Sequence, residues 1–303
     1  MSSLLSIFGH NLLPIFLTAA SGYLAAKYLG VTPRSLSQAA FYIFSPCLIF
    51  TALTTSPLNN ADILRMAAFT TVNLLSIGAI TWIAGRALRL ERGILMAVLL
   101  TTMFTNAGNY GLSLNLFAFG ETALAHASVF FVVNAILMYT VGAIIASLGT
   151  SNLKQALLSV LKVPAVYAVV IALVFSRMNW VFAMPIDRTI SLLGNAAIPV
   201  LMVLMGVQMR YAKWNGHIGA MTLSTCIRLI VGPALAILLS LVFGLKGAAR
   251  QAGITEAAMP AAVINTILAT EYNVEPEFVS TVVFISTLLS PLTITPLLAY
   301  LGA

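Results

Sequence analysis

The feature of this sequence that most constrains its fold is a succession of long apolar runs that fills almost the whole chain. A helix needs about 20 apolar residues to cross the hydrocarbon core of a bilayer. The runs are continuous, whereas the strands of a membrane barrel alternate apolar and polar residues, so they predict an all-α polytopic membrane protein. We predict ten spans, at roughly residues 4–28, 35–54, 61–85, 92–118, 121–147, 163–179, 185–208, 217–243, 248–271 and 277–301.

Composition supports the same fold class. Hydrophobic residues make up 60% of the 303 residues and charged residues 8%, against roughly 45–50% and 25% in soluble domains. A soluble fold of this length could not cover so much apolar surface. The net charge of +7 comes from basic residues dispersed at the ends of apolar runs, a distribution that suits lipid headgroups and does not indicate a nucleic-acid partner.

Landmark residues recur between the two halves of the chain. Five spans per half is an odd number, so the second half must enter the membrane from the opposite side, which predicts two inverted five-helix repeats. We place these repeats at residues 1–148 and 163–303. They are joined by a connector at 149–162, which is predicted to form an interfacial amphipathic helix. The landmarks lie 150–156 residues apart: Pro14 and Pro164, Pro46 and Pro199, Asn109 and Asn265, Glu121 and Glu277.

Lysine and arginine residues predict the orientation, because cytoplasmic loops carry an excess of them. Nine lie on one side of the predicted spans and five on the other. The richer side is assigned to the cytoplasm, so both termini are predicted to be extracytoplasmic. The nine are Lys27, Arg34, Arg86, Arg89, Arg92, Lys154, Lys162, Arg210 and Lys213, and the five are Arg65, Arg177, Arg188, Lys246 and Arg250.

Spans 4 and 9 contain residues that break helices in the middle of an apolar run. A break leaves backbone groups unpaired in the membrane and creates helix ends that carry partial charges. Interrupted spans at matching positions of two halves point to a transport site, and the alternative is a pair of packing kinks. The candidate substrate-binding residues at these breaks are Asn106, Gly108, Asn109, Gly111, Pro260 and Asn265.

Two ionisable residues lie inside or close to these spans. Glu256, one helical turn before Pro260, could bind Na⁺ together with the carbonyls of Ala257 and Met259, or could carry a proton; the alternative is an acid at the membrane interface. Arg228 in span 8 could pair with Glu256 or hold an anionic substrate; the alternative is an arginine that snorkels to the interface.

The other polar residues in the spans are weaker candidates for a functional site. Ser128 and Asn134 lie on span 5 and could face the span 4 break, although an asparagine in a membrane helix is more often an interhelical hydrogen-bond donor. The three histidines lack the spacing of a metal site, and the sequence has no nucleotide-binding loop or nucleophile elbow. We therefore expect neither an enzyme nor a cofactor, apart from Na⁺ as a coupling ion.

Two runs resemble a known family. FTNAGNYGLSLNLFAFG resembles span 4 of the auxin efflux carriers and EAAMPAAVINTILATEYNVEP resembles their span 9, with LLPIFLTAASGYLAAKYLG, FYIFSPCLIF, NAAIPVLMVLMG and IRLIVGP as further similar segments. The resemblance implies a scaffold of helices 1, 2, 6 and 7 and a core of helices 3–5 and 8–10, in which broken helices 4 and 9 cross. This fold is similar to that of the sodium–bile acid symporters.

In that wider superfamily, a carboxylate before the span 9 break, an asparagine at the span 4 break and hydroxyls on span 5 bind Na⁺. The resemblance carries these roles to Glu256, Asn109 and Ser128. The short connection between spans 5 and 6 resembles that of compact bacterial members in the inner membrane, whose substrates are usually small organic acids. Homodimers also occur in the family.

The sequence thus predicts a secondary active transporter of small organic anions, auxin- or carboxylate-like, that works by alternating access with Na⁺ or H⁺ coupling. A sodium-coupled symporter of the bile acid type is one alternative. A passive channel is another, although a channel needs a continuous polar lining and polarity here is concentrated at two breaks. The third is a membrane sensor, which would need a signalling appendage.

Overall fold

The computed structural model describes residues 4–55, 58–146, 164–211 and 217–303, and almost all of these residues are helical. Within these ranges the chain forms eleven helices, numbered here in chain order. They are α1 (Leu4–Leu29), α2 (Pro33–Thr55), α3 (Asn60–Ala87), α4 (Arg92–Met103), α5 (Ala107–Ala146), α6 (Pro164–Met178), α7 (Met184–Arg210), α8 (Ile218–Val242), α9 (Gly247–Ala258), α10 (Ile264–Glu271) and α11 (Pro276–Leu301).

Local sequence signals explain several of these boundaries. Pro33 occupies the first turn of α2, where its missing N–H costs nothing. The Asn59 side chain accepts a 2.8 Å hydrogen bond from the backbone N–H of Asp62 and caps α3. Gly120 has φ 78° and ψ −169°, a conformation open to glycine, and divides α5 into residues 107–119 and 121–146. This division falls at the predicted boundary between spans 4 and 5.

Seven helices in the described ranges are long and apolar enough to cross a membrane, and α4 and α6 are shorter apolar helices. An all-helical multi-pass membrane protein is therefore confirmed, while the count of ten spans and the orientation of the termini stay predictions. Large apolar side chains such as Leu17, Val170, Leu241 and Leu292 are exposed, as expected where lipid is the solvent. The predicted connector helix at 149–162 and Lys213 lie outside the described residues.

The helices of the predicted scaffold contact one another closely: α1 packs along α7, and α2 packs against α6 and α7. Glycines permit the approach of α1 to α7. A Cβ added at Gly206 would lie 1.7 Å from the carbonyl oxygen of Ala19, and one at Gly22 would lie 2.0 Å from that of Val203. If the two halves are repeats, α1 corresponds to α6 and α2 to α7, so the α1–α7 contact corresponds to the α6–α2 contact. Both contacts are present, as an inverted repeat requires, and the repeat itself stays a prediction.

The remaining helices pack around the two predicted breaks. α9 contacts α5, α8 and α3, while α11 contacts α4, α8 and α10. Hydroxyl pairs add polar links inside this group: Thr101 of α4 lies 2.7 Å from Ser224 of α8, and Thr102 lies 2.9 Å from Thr81 of α3, measured between side-chain oxygens. These contacts hold the end of α4 against α3 and α8.

Candidate functional site

The site is built on two helix breaks, at the positions where the sequence predicts them. α4 ends at Met103 and α5 begins at Ala107, while α9 ends at Ala258 and α10 begins at Ile264. The short segments between these ends are 104–106 and 259–263. Each break therefore exposes one helix C-terminus and one helix N-terminus inside the protein.

The two segments cross and pair through their backbones. Thr105 and Ala261 form an antiparallel bridge. On either side of it, the N–H of Asn106 donates to the carbonyl of Pro260 at 2.8 Å, and the N–H of Ala262 donates to the carbonyl of Phe104 at 3.0 Å. Each broken helix thus satisfies backbone groups of the other, which would otherwise cost several kcal/mol each in a membrane.

Side-chain donors cover the C-terminal ends, where helix carbonyls carry partial negative charge. The Nδ2 of Asn265 donates to the carbonyls of Leu100 and Phe104 at 3.0 and 3.1 Å. The Nδ2 of Asn134, on α5, donates to the carbonyl of Thr105 at 3.3 Å, so this side chain faces the break as predicted. These side chains fix how the two broken helices meet.

Arg228 of α8 covers the C-terminal ends of both α4 and α9. Its Nη1 donates to the carbonyl of Thr102 at 2.5 Å, and its Nη2 donates to the carbonyl of Ala257. The residue is only 1% exposed, so it does not snorkel to an interface. Among the described residues no carboxylate lies within ion-pair distance of Arg228, and the predicted pair with Glu256 is not formed.

The N-terminal ends of α5 and α10 border a cavity of about 300 Å³, called here the crossing cavity. Three of the predicted substrate-binding residues line it, namely Asn106, Gly108 and Asn109. The walls are largely apolar and aromatic, with contributions from α2, α5, α7 and α10. Because helix N-termini carry partial positive charge, this cavity suits an anion with an apolar body. Its other lining residues include Phe41, Tyr42, Phe131, Tyr139, Leu201, Leu204, Val263 and Ile264.

A second cavity of about 470 Å³, the vestibule, adjoins the crossing cavity and has Arg34 in its lining. The two cavities share Ser37 and Gln38 of α2, Gln208 of α7, and Val263 and Ile267 of α10. They therefore form one path from the helix ends toward the side on which Arg34 lies.

A third cavity of about 620 Å³, the opposite cavity, is lined by the other end of α2 and by α7. Thr51, Glu121 and Asn195 are among its polar lining residues. α2 contributes residues 37–45 to the crossing cavity and residues 48–55 to the opposite cavity. The two cavities thus open beside the two ends of the same helix.

Glu256 lies near the C-terminal end of α9 and is 0% exposed, so it is not an interfacial acid. The Nδ2 of Asn115 donates to its Oε1 at 3.0 Å, and its Oε2 has no hydrogen-bond partner among the described residues. A Cβ added at Gly111 would lie 2.1 Å from this Oε2. The carboxyl group is therefore packed between α9 and α5, outside the lining of the crossing cavity.

The other predicted site residues take varied positions. The Pro260 carbonyl belongs to the backbone pairing, and Asn265 caps α4 and is 0% exposed. The Ser128 hydroxyl donates to the Leu124 carbonyl of its own helix at 2.8 Å, and the Met259 N–H donates to the Glu256 carbonyl at 3.3 Å. Pro260, Asn265 and Arg228 therefore shape the crossing, Gly111 leaves room for the Glu256 carboxyl group, and Asn106 and Asn109 line the cavity.

Two side chains at the site were not singled out from the sequence. Gln208 of α7 accepts a 3.1 Å hydrogen bond from the Nδ2 of Asn109, which links α5 to α7. Asn115 holds the Glu256 carboxyl group. Both carry a sequence signal: Gln208 is a lone amide in an apolar run, and Asn115 follows Gly111 by four residues, which places the two on one helix face.

The fold and the crossed helix ends define a class of protein, a multi-pass membrane transporter. The chain matches the model of the membrane transport protein family over residues 7–155 and 148–298. It belongs to this family, which includes the auxin efflux carriers. The resemblance seen in spans 4 and 9 is thereby confirmed.

Relatives of this chain include proteins of archaea and of plants. An uncharacterized transporter of Methanothermobacter thermautotrophicus is 24% identical over 92% of this chain and 94% of its own length. An uncharacterized transporter of Methanocaldococcus jannaschii is 22% identical over 86% of this chain and 87% of its own length. Auxin efflux carrier component 6 of Arabidopsis thaliana is 32% identical, over 43% of this chain and 24% of its own length.

Proposed function

We propose that this protein is a secondary active transporter of small organic anions that works by alternating access and binds its substrate in the crossing cavity. One observation carries the proposal: the N-terminal ends of α5 and α10 border this cavity, beside Asn106 and Asn109. The C-terminal ends of the partner half-helices are instead covered by Asn265 and Arg228. The positive ends are thus left for a ligand, and helix N-termini bind anionic groups such as carboxylates.

The walls of the cavity support the choice of a small organic acid. Apart from the helix ends and a few amides and hydroxyls, the lining is apolar or aromatic, and it contains no lysine, arginine, aspartate or glutamate. An inorganic ion would leave these walls in contact with water. An anion whose body is aliphatic or aromatic would fill them and place its carboxylate at the helix ends.

The proposed motion is a displacement of a core, α3–α5 and α8–α11, against a scaffold of α1, α2, α6 and α7. The crossing cavity and the opposite cavity lie at this boundary, toward the two ends of α2. The hydrogen bond from Asn109 to Gln208 joins the proposed core to the proposed scaffold. It would break when the core moves, so it belongs to one of the two end states.

Counterflow in reconstituted vesicles tests the proposal. Vesicles loaded with an unlabelled organic acid should accumulate the same labelled acid transiently if a carrier exchanges the two, and a panel of small mono- and dicarboxylates would identify the substrate. Saturable counterflow supports the carrier. Flux without counterflow would favour a passive channel, and binding without flux would favour a membrane sensor.

Asn109→Asp is expected to weaken binding of an organic anion. The substitution changes little in volume but adds a negative charge where the substrate carboxylate is proposed to lie, and like charges at close range repel. We expect the affinity measured by counterflow to fall by about tenfold or more, a loss of about 1.4 kcal/mol. Asn60→Asp, at the exposed start of α3, is the matched control. Unchanged affinity in Asn109→Asp would place the anion elsewhere.

We propose further that Glu256 couples transport to a cation, either H⁺ or Na⁺. Its carboxyl group is buried with one oxygen free of hydrogen bonds among the described residues. Glu256→Gln keeps the shape and removes the charge, so we expect counterflow to persist and accumulation driven by a proton or sodium gradient to be lost. Glu91→Gln, exposed before α4, is the control. Full gradient-driven accumulation in Glu256→Gln would rule out this role.

We also propose a location and an orientation for the carrier. The resemblance of the short connection between spans 5 and 6 to that of compact bacterial members suggests the inner membrane of a bacterium. The excess of lysine and arginine on one side of the predicted spans places both termini outside the cytoplasm. The vestibule and Arg34 would then open toward the cytoplasm. A homodimer is part of the proposal, as an expectation drawn from the family.

A further inference from the structure

Two helix C-termini converge at one point beneath the crossing. The carbonyl of Thr102 belongs to the last turn of α4, and the carbonyl of Ala257 to the last turn of α9. Both accept hydrogen bonds from the guanidinium of Arg228. Each helix C-terminus is equivalent to roughly −0.5 elementary charge, so the two together present about −1. One guanidinium supplies the matching charge.

The guanidinium is held at this point by its surroundings. A Cβ added at Gly232, one turn further along α8, would lie 2.8 Å from the Nη2 of Arg228 and 3.5 Å from the Ala257 oxygen. The hydroxyl pair of Thr101 and Ser224 ties α8 to α4 one turn from the arginine. Arg228 is therefore fixed between α8 and the crossing.

No acidic side chain among the described residues offsets this buried charge at ion-pair distance. An arginine side chain stays protonated in proteins, and burying an ion without compensation is costly. The compensation that the structure offers is the pair of helix C-termini. Conversely, these carbonyls are oxygen ligands of the kind a bound Na⁺ would use, and a second cation on the Ala257 oxygen would be repelled by the guanidinium.

We infer that Arg228 is a tethered cation that takes the place of a sodium ion at the ends of α4 and α9. The inference rests on the proposed function in treating these helices as the moving core of a carrier. It assigns the Ala257 carbonyl to Arg228, in place of the sodium ligation predicted from the sequence. The carrier then needs no Na⁺ at the crossing, and the helix ends keep their cation through the whole transport cycle. Of the two cations proposed to couple through Glu256, the inference leaves H⁺.

Thermal unfolding of the purified protein tests the inference, with sodium, choline or guanidinium chloride at equal ionic strength. Wild type should have the same Tm in sodium and in choline. Arg228→Ala should unfold at a Tm lower by roughly 5 °C or more, because buried carbonyls lose their donors. Millimolar guanidinium or sodium should restore part of this loss, since either can occupy the vacated space. Arg188→Ala, at an exposed position of α7, should show neither the loss nor the recovery.

Three results would overturn the inference: a higher Tm of wild type in sodium than in choline, an unchanged Tm in Arg228→Ala, or a loss that no cation reverses. If Arg228→Ala does not fold, Arg228→Lys replaces it. The lysine keeps the charge but lacks the two guanidinium nitrogens that reach both carbonyls. Its Tm should therefore lie between those of wild type and Arg228→Ala and should not depend on sodium. A Tm of Arg228→Lys that rises with sodium would overturn the inference. These assays contain no substrate, so failure of the proposed transport activity would appear separately, in counterflow.

Discussion

Asn265→Ala is expected to lower substrate affinity about tenfold or more and to reduce stability. Its side chain is 0% exposed and donates to the carbonyls of Leu100 and Phe104. Each carbonyl keeps one backbone donor, the N–H of Phe104 for Leu100 and the N–H of Ala262 for Phe104, but each loses its side-chain donor. A buried hydrogen bond contributes about 0.5–1.5 kcal/mol, and without these two bonds a shift of α4 against α10 would misplace the N-terminal ends of α5 and α10 at the crossing cavity.

Counterflow affinity and Tm, measured on the same preparations, check this prediction. Thr270→Ala is a suitable control, because Thr270 lies on the exposed end of α10 and its hydroxyl donates to the Thr266 carbonyl of the same helix. The control should resemble wild type in both measurements. If Asn265→Ala bound substrate and unfolded as wild type does, the capping contacts would be irrelevant to the site.

Gly206→Ala is expected to cause a large loss of stability, because it forces α1 and α7 apart. The new Cβ would lie 1.7 Å from the carbonyl oxygen of Ala19 and 2.9 Å from the backbone nitrogen of Tyr23. Both are backbone atoms, so no side-chain rotation can relieve the clash and the helices must separate. Overpacking of a well-packed core usually costs about 1–3 kcal/mol, and we expect a cost at the upper end of that range or above it.

The fraction of folded protein after heating in detergent measures this effect. Gly219→Ala serves as the control, since a Cβ there meets nothing within 4 Å and alanine is the better helix former. Gly219→Ala should match wild type or exceed it. A Gly206→Ala protein as stable as wild type would show that α1 and α7 are not held at this distance.

The sequence predicts the helices and their breaks well because the signals are local. Long apolar runs demand helices in a membrane, and the breaks fall where an asparagine–glycine stretch and Pro260 interrupt them. The division at Gly120 also follows from a single residue. Such features depend on neighbours within a few positions, so one sequence contains what is needed to place them.

The partners of the buried polar groups could not be predicted in the same way. Arg228 meets the carbonyls of Thr102 and Ala257, which lie 126 and 29 residues away. Every residue carries a backbone carbonyl. The residue types at positions 102 and 257 therefore do not indicate that their carbonyls accept hydrogen bonds from Arg228. The sequence marks Glu256 as an unusual acid beside a helix break, but its partner Asn115 lies 141 residues away, and only the packing of α9 on α5 brings the two together.

Alternating access is the central claim, and the reactivity of two engineered cysteines tests it most directly. Cys47 and Cys226 are first replaced by serine, and Ser37→Cys or Thr51→Cys is then introduced on α2. These positions are 51 − 37 = 14 residues apart, roughly 21 Å along the helix. Ser37 lines the vestibule and the crossing cavity, and Thr51 lines the opposite cavity.

Each variant is treated with a membrane-impermeant thiol reagent, applied separately to each side of sealed vesicles, with and without the organic acid that gives counterflow. We predict that the acid changes the labelling of the two cysteines in opposite directions, one rising as the other falls, each from its own side of the membrane. Labelling that changes in the same direction at both positions, or that the acid leaves unchanged, would contradict alternating access about the crossing of the broken helices.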